Sequence, residues 1–164
     1  FQCGLGKEAE SQKEAKMDFS SKLNAGGYSL GAIPGGDENI KIEKLDDMVN
    51  AVDHIALIKA DIEGYELKML MGAVNLIERD RPFLYLENDI VEKSPELISY
   101  LWSLSYDIWW HVVPLFNPRN RANTEQNIFL NTASLNIICA PAEKDINMDT
   151  NKIEDAYFHP LKGI

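Results

Sequence analysis

The chain has 164 residues and a net charge of −10, with 16 Lys and Arg against 26 Asp and Glu; 45% of it is hydrophobic and 26% charged. That length suits one domain with a buried core. The acidic balance excludes the basic footprint that a nucleic-acid or anionic membrane surface requires, so a small-molecule partner is expected. The longest apolar runs, such as "IWWHVVPLF" at 108–116, fall well short of the roughly 20 residues that span a bilayer. No segment reads as a secretory signal. Cys3 and Cys139 are the only cysteines; with no CxxC pair they point to a reducing, cytoplasmic setting, a single bridge between them being the alternative.

Residues 1–39 are loosely patterned, polar at first and then rich in glycine, with Pro34-Gly35-Gly36-Asp37 a turn signal. "IKIEKL" (40–45) alternates apolar and polar and predicts a half-buried strand. "LDDMVNAV" (45–52) predicts a brief helix that Asp46 or Asp47 caps. "HIALIKAD" (54–61) is an apolar run of strand length. From Glu66 the period changes: Leu67, Leu70, Met71, Val74 and Ile77 fall on one face of a single helix. "RPFLYLEND" (81–89) predicts a second apolar strand entered through Pro82. Ser94 as N-cap and Pro95 in the first turn predict the start of another helix, with Leu97, Ile98, Leu101 and Leu104 on its apolar face. "YDIWWHVVPLF" (106–116) predicts a strand, "NPRNRANTEQN" (117–127) a polar loop, and "ASLNIICAP" (133–141) a last strand. The acidic tail from Ala142 carries little pattern. The βαβαβ series predicts an α/β fold with a mainly parallel sheet covered by helices, as one domain with its core at 40–141 and looser segments at 1–39 and 142–164.

Acids gather where strand 54–61 hands over to the next helix: Asp61, Glu63 and Glu66 surround Gly64. Ligands of open α/β sheets bind beyond the carboxyl ends of the strands. Asp61 ends one such strand, and Glu87 and Asn88 end the next. Two carboxylates and an amide oxygen there form a hard-oxygen set suited to Mg²⁺. Glu66, in the first helical turn, is placed to stabilise the helix dipole, and Gly64 to permit a tight turn. Asp61 is singled out because a carboxylate closing a buried strand costs energy unless it is paired or used.

The segment "LIKADIEGYELKMLMGAVNLIERDRPFLYLEND" resembles the signature region of the FkbM-type methyltransferases, carried by Lys59, Asp61, Glu63, Gly64, Glu66, Gly72, Ala73, Pro82 and Glu87. "NAGGYSL", "IKIEKLDDMV" and "SLNIICAP" resemble flanking segments, so the similarity runs over about 24–141. The resemblance implies a Rossmann-like class I methyltransferase sheet, mainly parallel with a final antiparallel strand. It implies S-adenosylmethionine as methyl donor and a hydroxylated sugar, lipid or natural product as acceptor. It also implies that the sheet is incomplete here. The family's first strand, its glycine-rich turn and its ribose-binding acid have no counterpart in residues 1–57, so no cofactor-binding residue is assigned, and a chain starting at Phe1 is expected to be the C-terminal part of the fold. "GLGKEA" (Gly4 to Ala9) formally fits a dinucleotide fingerprint but lacks the strand before it and the helix after it.

Two routes for removing the acceptor's proton are open. In one, Asp61 or Glu63 is the general base. In the other, Mg²⁺ held by Asp61, Glu87 and Asn88 lowers the pKa of the hydroxyl. His54 is read as a surface or capping residue, His159 as solvated, His111 as a half-buried strand residue, and Trp109, Trp110 and Phe116 as aromatic core or interface, with the lining of an acceptor pocket as the alternative. Arg119 and Arg121 sit on the candidate substrate loop. The competing reading is a truncated, non-catalytic methyltransferase-like binding domain, supported by the missing cofactor elements. A Mg²⁺-dependent phosphoryl-transfer site would also explain the acids but lacks a phosphate-cradling loop. An incomplete sheet leaves a strand edge open, which predicts a homodimer.

Overall fold

The computed structural model describes residues 3–13, 39–49 and 54–162. Residues 14–38, which include the predicted turn at Pro34–Asp37, lie outside these, as do 50–53 at the end of the predicted helix 45–52. The chain divides into two compact units, Phe1–Leu84 and Tyr85–Ile164.

The first unit holds strands β1 (Gly4–Leu5), β2 (Glu10–Lys13) and β3 (Asn39–Glu43), helix α1 (Leu45–Met48), strand β4 (Leu57–Ala60), helices α2 (Glu66–Met71) and α3 (Val74–Asp80), and the start of β5 (Phe83–Glu87). A three-stranded sheet has the order β1-β3-β2, β1 running parallel and β2 antiparallel to β3. Neither β1 nor β2 carries an apolar alternation, and neither was expected. β4 lies beside β5, where the Phe83 amide donates to the Ala56 carbonyl at 2.9 Å.

The single helix expected from Glu66 onward is broken at Gly72-Ala73. Two contacts make the break. Gly72 lies so close to β1 that a Cβ built on it would sit 2.0 Å from the Gly6 carbonyl oxygen. Asp46, buried on α1, accepts hydrogen bonds from the amides of Asn75 (3.1 Å) and Leu76 (2.9 Å) at the start of α3. Asp46 therefore caps α3 and not its own helix, because α1 directs it onto the orphan N–H groups of a helix about thirty positions later. The formal glycine motif is accounted for in the same way. β1 is followed by β2 rather than a helix, and Gly6 packs with Ile42 at a distance that excludes a side chain.

α3 ends at Arg81, in the left-handed region at φ 46°, and Pro82 follows. Asp80 in its last turn ties the unit together: its carboxylate accepts from the Ile55 amide at 2.9 Å and from two nitrogens of Arg79 at 2.7 and 2.8 Å, with exposed His54 3.5 Å away. The Arg79 guanidinium, helped by that amide, holds the Asp80 carboxyl well below the usual carboxylate range. A depressed folded-state value stabilises the fold above the unfolded value of about 3.9, and the contribution is lost as pH falls below it. Melting temperature followed from neutral to acid pH should show this: the Asp80→Asn variant is expected to lose less stability than the wild type over the acid limb. Parallel curves would mean that Asp80 does not couple protonation to folding.

The second unit continues β5 and adds helix α4 (Ser94–Ser103), strand β6 (Tyr106–Pro114) and strand β7 (Ala133–Pro141). Its strands run in the order β5-β7-β6, with β6 and β7 antiparallel over nine pairs from Tyr106↔Pro141 to Pro114↔Ala133. One face of this sheet is sealed. Leu86, Ile108, Ile137 and Cys139 are fully buried there, as are Ile98 and Leu101 of α4, which packs on β6. Burial raises the Cys139 thiol pKa far above its usual value, and both cysteines are free.

The tail is not solvated as expected. The Trp110 amide donates to the Asn151 carbonyl (3.2 Å) and the Ile153 amide to the Ile108 carbonyl (2.8 Å), so the tail lines the outer edge of β6. Ile153 and Ala156 are buried, and His159 is only 2% exposed, edge-on to Trp110. The Leu161 amide donates to His159 Nδ1 at 3.1 Å. That leaves Nε2 to carry the proton it shares with the Asn88 carbonyl oxygen at 3.0 Å. The histidine is placed by partners far away in sequence, which local composition does not reveal. Among the described residues, no helix is long and apolar enough to cross a membrane.

Candidate functional site

In the first unit the acids flank a tight turn. The Tyr65 amide reaches the Ile62 carbonyl at 3.4 Å, and the two residues between them, Glu63 (φ 55°) and Gly64 (φ 84°), both lie in the left-handed region. Two positive φ values in succession are the pattern of a type I′ turn. Glycine adopts it freely; for Glu63 it costs on the order of 1 kcal/mol, the kind of strain that collects at functional sites. Glu66 supports the turn from α2. It is 4% exposed, and its Oε1 accepts from the amides of Ile62 (3.0 Å) and Gly64 (3.3 Å). Glu66 thereby pairs the turn's backbone amides and holds its shape.

Asp61 differs from expectation. β4 is not a buried strand, since Leu57 is 59% exposed and only Ala60 of its four residues is buried. The Asp61 side chain is 49% exposed and lies 3.1 Å from Lys59 Nζ, itself exposed. An apolar run predicts burial, but among the described residues β4 has β5 as its only strand neighbour, and an edge strand keeps part of its surface in water. A carboxylate in this setting pays little desolvation, and its exposed ion pair contributes little stability. What marks Asp61 is its position on the wall of a cavity of about 440 Å³, with Leu57, Ile58, Lys59, Met69 and Leu76 among the other residues lining it. That volume lies within the range of small-molecule pockets, and a few polar groups on an apolar wall are their usual composition.

Glu87 and Asn88 belong to the second unit. Glu87 ends β5, half-buried. Asn88 is 5% exposed: its amide N–H donates to the Leu135 carbonyl (2.9 Å), its side-chain nitrogen to Ser94 Oγ (3.0 Å), and its main-chain carbonyl accepts from His159. Ser94 is thus the first residue of α4 and a partner of Asn88, just past β5, not an N-cap; Lys93 holds the cap position. The structure brings Asp61 and Glu63 together at one turn, and Glu87 and Asn88 at one strand end.

Trp109 and Trp110 are buried at 3% and 7% exposure, which makes them core residues. Arg119 and Arg121 are exposed on the 117–127 loop, whose shape is held by the side chains of Asn117, Asn120 and Thr124. The sequence reading passed over Tyr85, whose hydroxyl lies 3.0 Å from His111 Nδ1. The available signal was polar residues at alternate positions of two otherwise apolar strands, Tyr85 with Glu87 and Ser134 with Asn136.

No curated protein and no solved structure matches the chain. One family model does, the methyltransferase FkbM domain, over residues 2–108. That span covers more than half of the chain and contains the Asp61–Glu66 turn and the end of β5, so the chain belongs to the FkbM methyltransferase domain family.

Proposed function

We infer that the chain serves S-adenosylmethionine-dependent O-methylation of a hydroxylated small molecule, a sugar, lipid or natural product. The observation that carries this reading is the strained, acid-bearing turn at 61–66, which adjoins an apolar cavity inside the matched family domain. Asp61 and Glu63 are the groups on this turn able to accept the acceptor hydroxyl's proton. The Asp61–Lys59 pair places a cation beside that carboxylate, and the exposure of Asp61 leaves it open to an incoming hydroxyl. Mg²⁺ assistance belongs to the same reading.

The described residues do not make a complete site for S-adenosylmethionine. Gly4 and Gly6 are taken up by strand pairing and packing, and the cavity beside β4 has the Lys59 and Asp61 side chains as its ionic groups. A ribose diol, an ammonium and a carboxylate need more partners than these. This favours the second reading, a methyltransferase-like binding domain without its own turnover.

Calorimetric titration of the chain with S-adenosylmethionine, with and without Mg²⁺, separates the two. Methyl transfer by this polypeptide requires saturable binding; no heat under either condition gives the non-catalytic domain. A change in affinity on adding Mg²⁺ would support the metal route. Given binding, Asp61→Asn is expected to lower turnover at least about 100-fold, the usual scale for a lost general base. Full activity in that variant would remove Asp61 from both routes.

A further inference from the structure

The β6–β7 hairpin leaves the cover of its unit before it turns. Val112 and Val113 are neighbours on β6 and so point to opposite faces of the sheet, yet both are exposed. On β7 burial begins only at Leu135. The Leu115 amide donates to the Thr132 carbonyl at 3.0 Å and closes the pair, and every residue from 121 to 132 is exposed. Near the end of this loop stand three consecutive apolar side chains, Ile128, Phe129 and Leu130, at 71%, 43% and 76% exposure. Asn127 spans them: its Oδ1 accepts from the Phe129 amide at 2.9 Å, and its Nδ2 donates to the Leu130 carbonyl at 2.7 Å. The Thr132 amide reaches the Phe129 carbonyl at 3.0 Å. Leu130 takes φ 53°, a left-handed conformation that is costly for a leucine. These bonds fix a turn that holds apolar groups in water. Single apolar residues on a surface are ordinary; a cluster on one projecting hairpin, with exposed Val112, Val113 and Leu115 on its stem, marks an interaction site.

We propose that the hairpin tip docks the chain on a membrane, setting Ile128, Phe129 and Leu130 at the headgroup–acyl boundary of a bilayer with anionic lipids. Two observations choose a bilayer over a protein. Three successive side chains round a turn point in different directions, so a flat protein surface covers one side of the tip, whereas a fluid layer surrounds it. The charges fit as well. Between Asp107 and Glu143 the only Lys, Arg, Asp or Glu residues are Arg119, Arg121 and Glu125, two positive against one negative, in a chain of net charge −10. Both arginines are exposed on the loop that carries the tip, and their guanidinium forks match phosphate and carboxylate groups. Acids of the same unit stand further back. Glu87 and Asp89 flank Asn88, which meets Leu135 opposite Val112, at the foot of the projection. Charge is screened over about 8 Å at physiological salt, so the tip's own charges govern its contact. The overall negative charge, which disfavours broad contact with such a surface, then orients the chain tip first. The projection from Val112 onward lies beyond the matched residues 2–108, and its role is independent of the methyltransferase reading.

The test is co-sedimentation of the whole chain with vesicles of phosphatidylserine and phosphatidylcholine in equal parts, against vesicles of phosphatidylcholine alone. Saturable binding to the mixed vesicles is expected, at least about tenfold tighter than to phosphatidylcholine, as two arginines near an anionic surface imply. Phe129→Ser combined with Leu130→Ser should weaken it at least about tenfold. Both side chains are exposed, so the fold is kept, which an unchanged melting temperature checks. Arg119→Gln combined with Arg121→Gln should remove the preference for phosphatidylserine. Phe129→Trp sets a reporter at the tip, and its emission should move to the blue on the mixed vesicles. No saturable binding, equal binding to both vesicle types, or full binding by the double serine variant would each overturn the proposal. A concentration-dependent dimer in sedimentation velocity, lost in the double serine variant and accompanied by no vesicle binding, would also overturn it and assign the tip to a second copy.

Discussion

Replacing Gly72 with alanine is expected to destabilise the fold by about 3 kcal/mol, the upper end of what overpacking a well-filled site costs. Local and tertiary effects predict opposite signs here, which makes the result decisive. Gly72 follows α2 directly at φ −90°, a conformation any residue adopts, and helix propensity alone would favour alanine by up to about 1 kcal/mol. The tertiary effect runs the other way. The added Cβ would lie 2.0 Å from the Gly6 carbonyl oxygen and 3.4 Å from that of Met69, and the nearer atom is backbone, which cannot rotate aside. β1 is also tied to β3, with the Gly6 amide donating to the Glu43 carbonyl at 3.0 Å, so moving Gly6 away disturbs that pairing as well. Urea denaturation of the two proteins measures the difference. A neutral or stabilised Gly72→Ala variant would show that β1 does not approach α2 closely in solution, and the account of the helix break would fail with it.

What the sequence revealed follows a physical division. Strand β7 was read with the bounds it has, Ala133–Pro141, because an apolar run paired with a neighbouring strand is specified locally. The acidic turn was also visible, since Gly64 and its flanking carboxylates mark a strand-to-helix joint. What stayed hidden was set by distant partners. The apolar period runs unbroken from Leu67 to Ile77, so nothing local signals the break at Gly72-Ala73; Gly6 and Asp46 impose it from other elements. β1, Gly4 and Leu5 alone, is too short to show a period and β2 is polar, so both are held by register with β3 rather than by any pattern of their own. Asp61 was read as buried because its strand is apolar, and an edge position is a property of the sheet, not of the strand. His159 sits in an acidic tail and is fixed by a carbonyl 71 positions earlier. Of the candidate site, the acids were legible as residue types. The exposure of Asp61, the supporting role of Glu66 and the strain at Glu63 required the fold.

The second large effect is expected at Asp46, where alanine should cost about 3 kcal/mol, since hydrogen bonds to a charged group are each worth about 1.5–3 kcal/mol and their loss leaves donors unpaired. The Asn75 and Leu76 amides lie at the start of α3, where no carbonyl of their own helix can reach them. The Leu76 side is buried, so water cannot fully replace the lost oxygen there. Asp46→Asn gives an internal control: it keeps one carbonyl oxygen and should recover part of the loss, because one amide can still be capped while the charge that favours a helix N-terminus is gone. An alanine variant as stable as wild type would mean that α3 starts without this cap. The two sites are also coupled, since the Asp46 amide donates to the Gly72 carbonyl at 2.9 Å. Effects at groups that share a hydrogen bond are not additive. The Asp46→Ala, Gly72→Ala pair should therefore lose less than the sum of the single losses, because either change already loosens the junction that the other depends on. That junction leads α2 into α3, and α2 carries Glu66, whose carboxylate holds the Asp61–Gly64 turn. Either variant should thus disturb the candidate site without touching it, seen as faster amide exchange at Ile62 and Gly64. Unchanged exchange there, in a variant measurably less stable, would show that the turn is held independently of the α2–α3 junction.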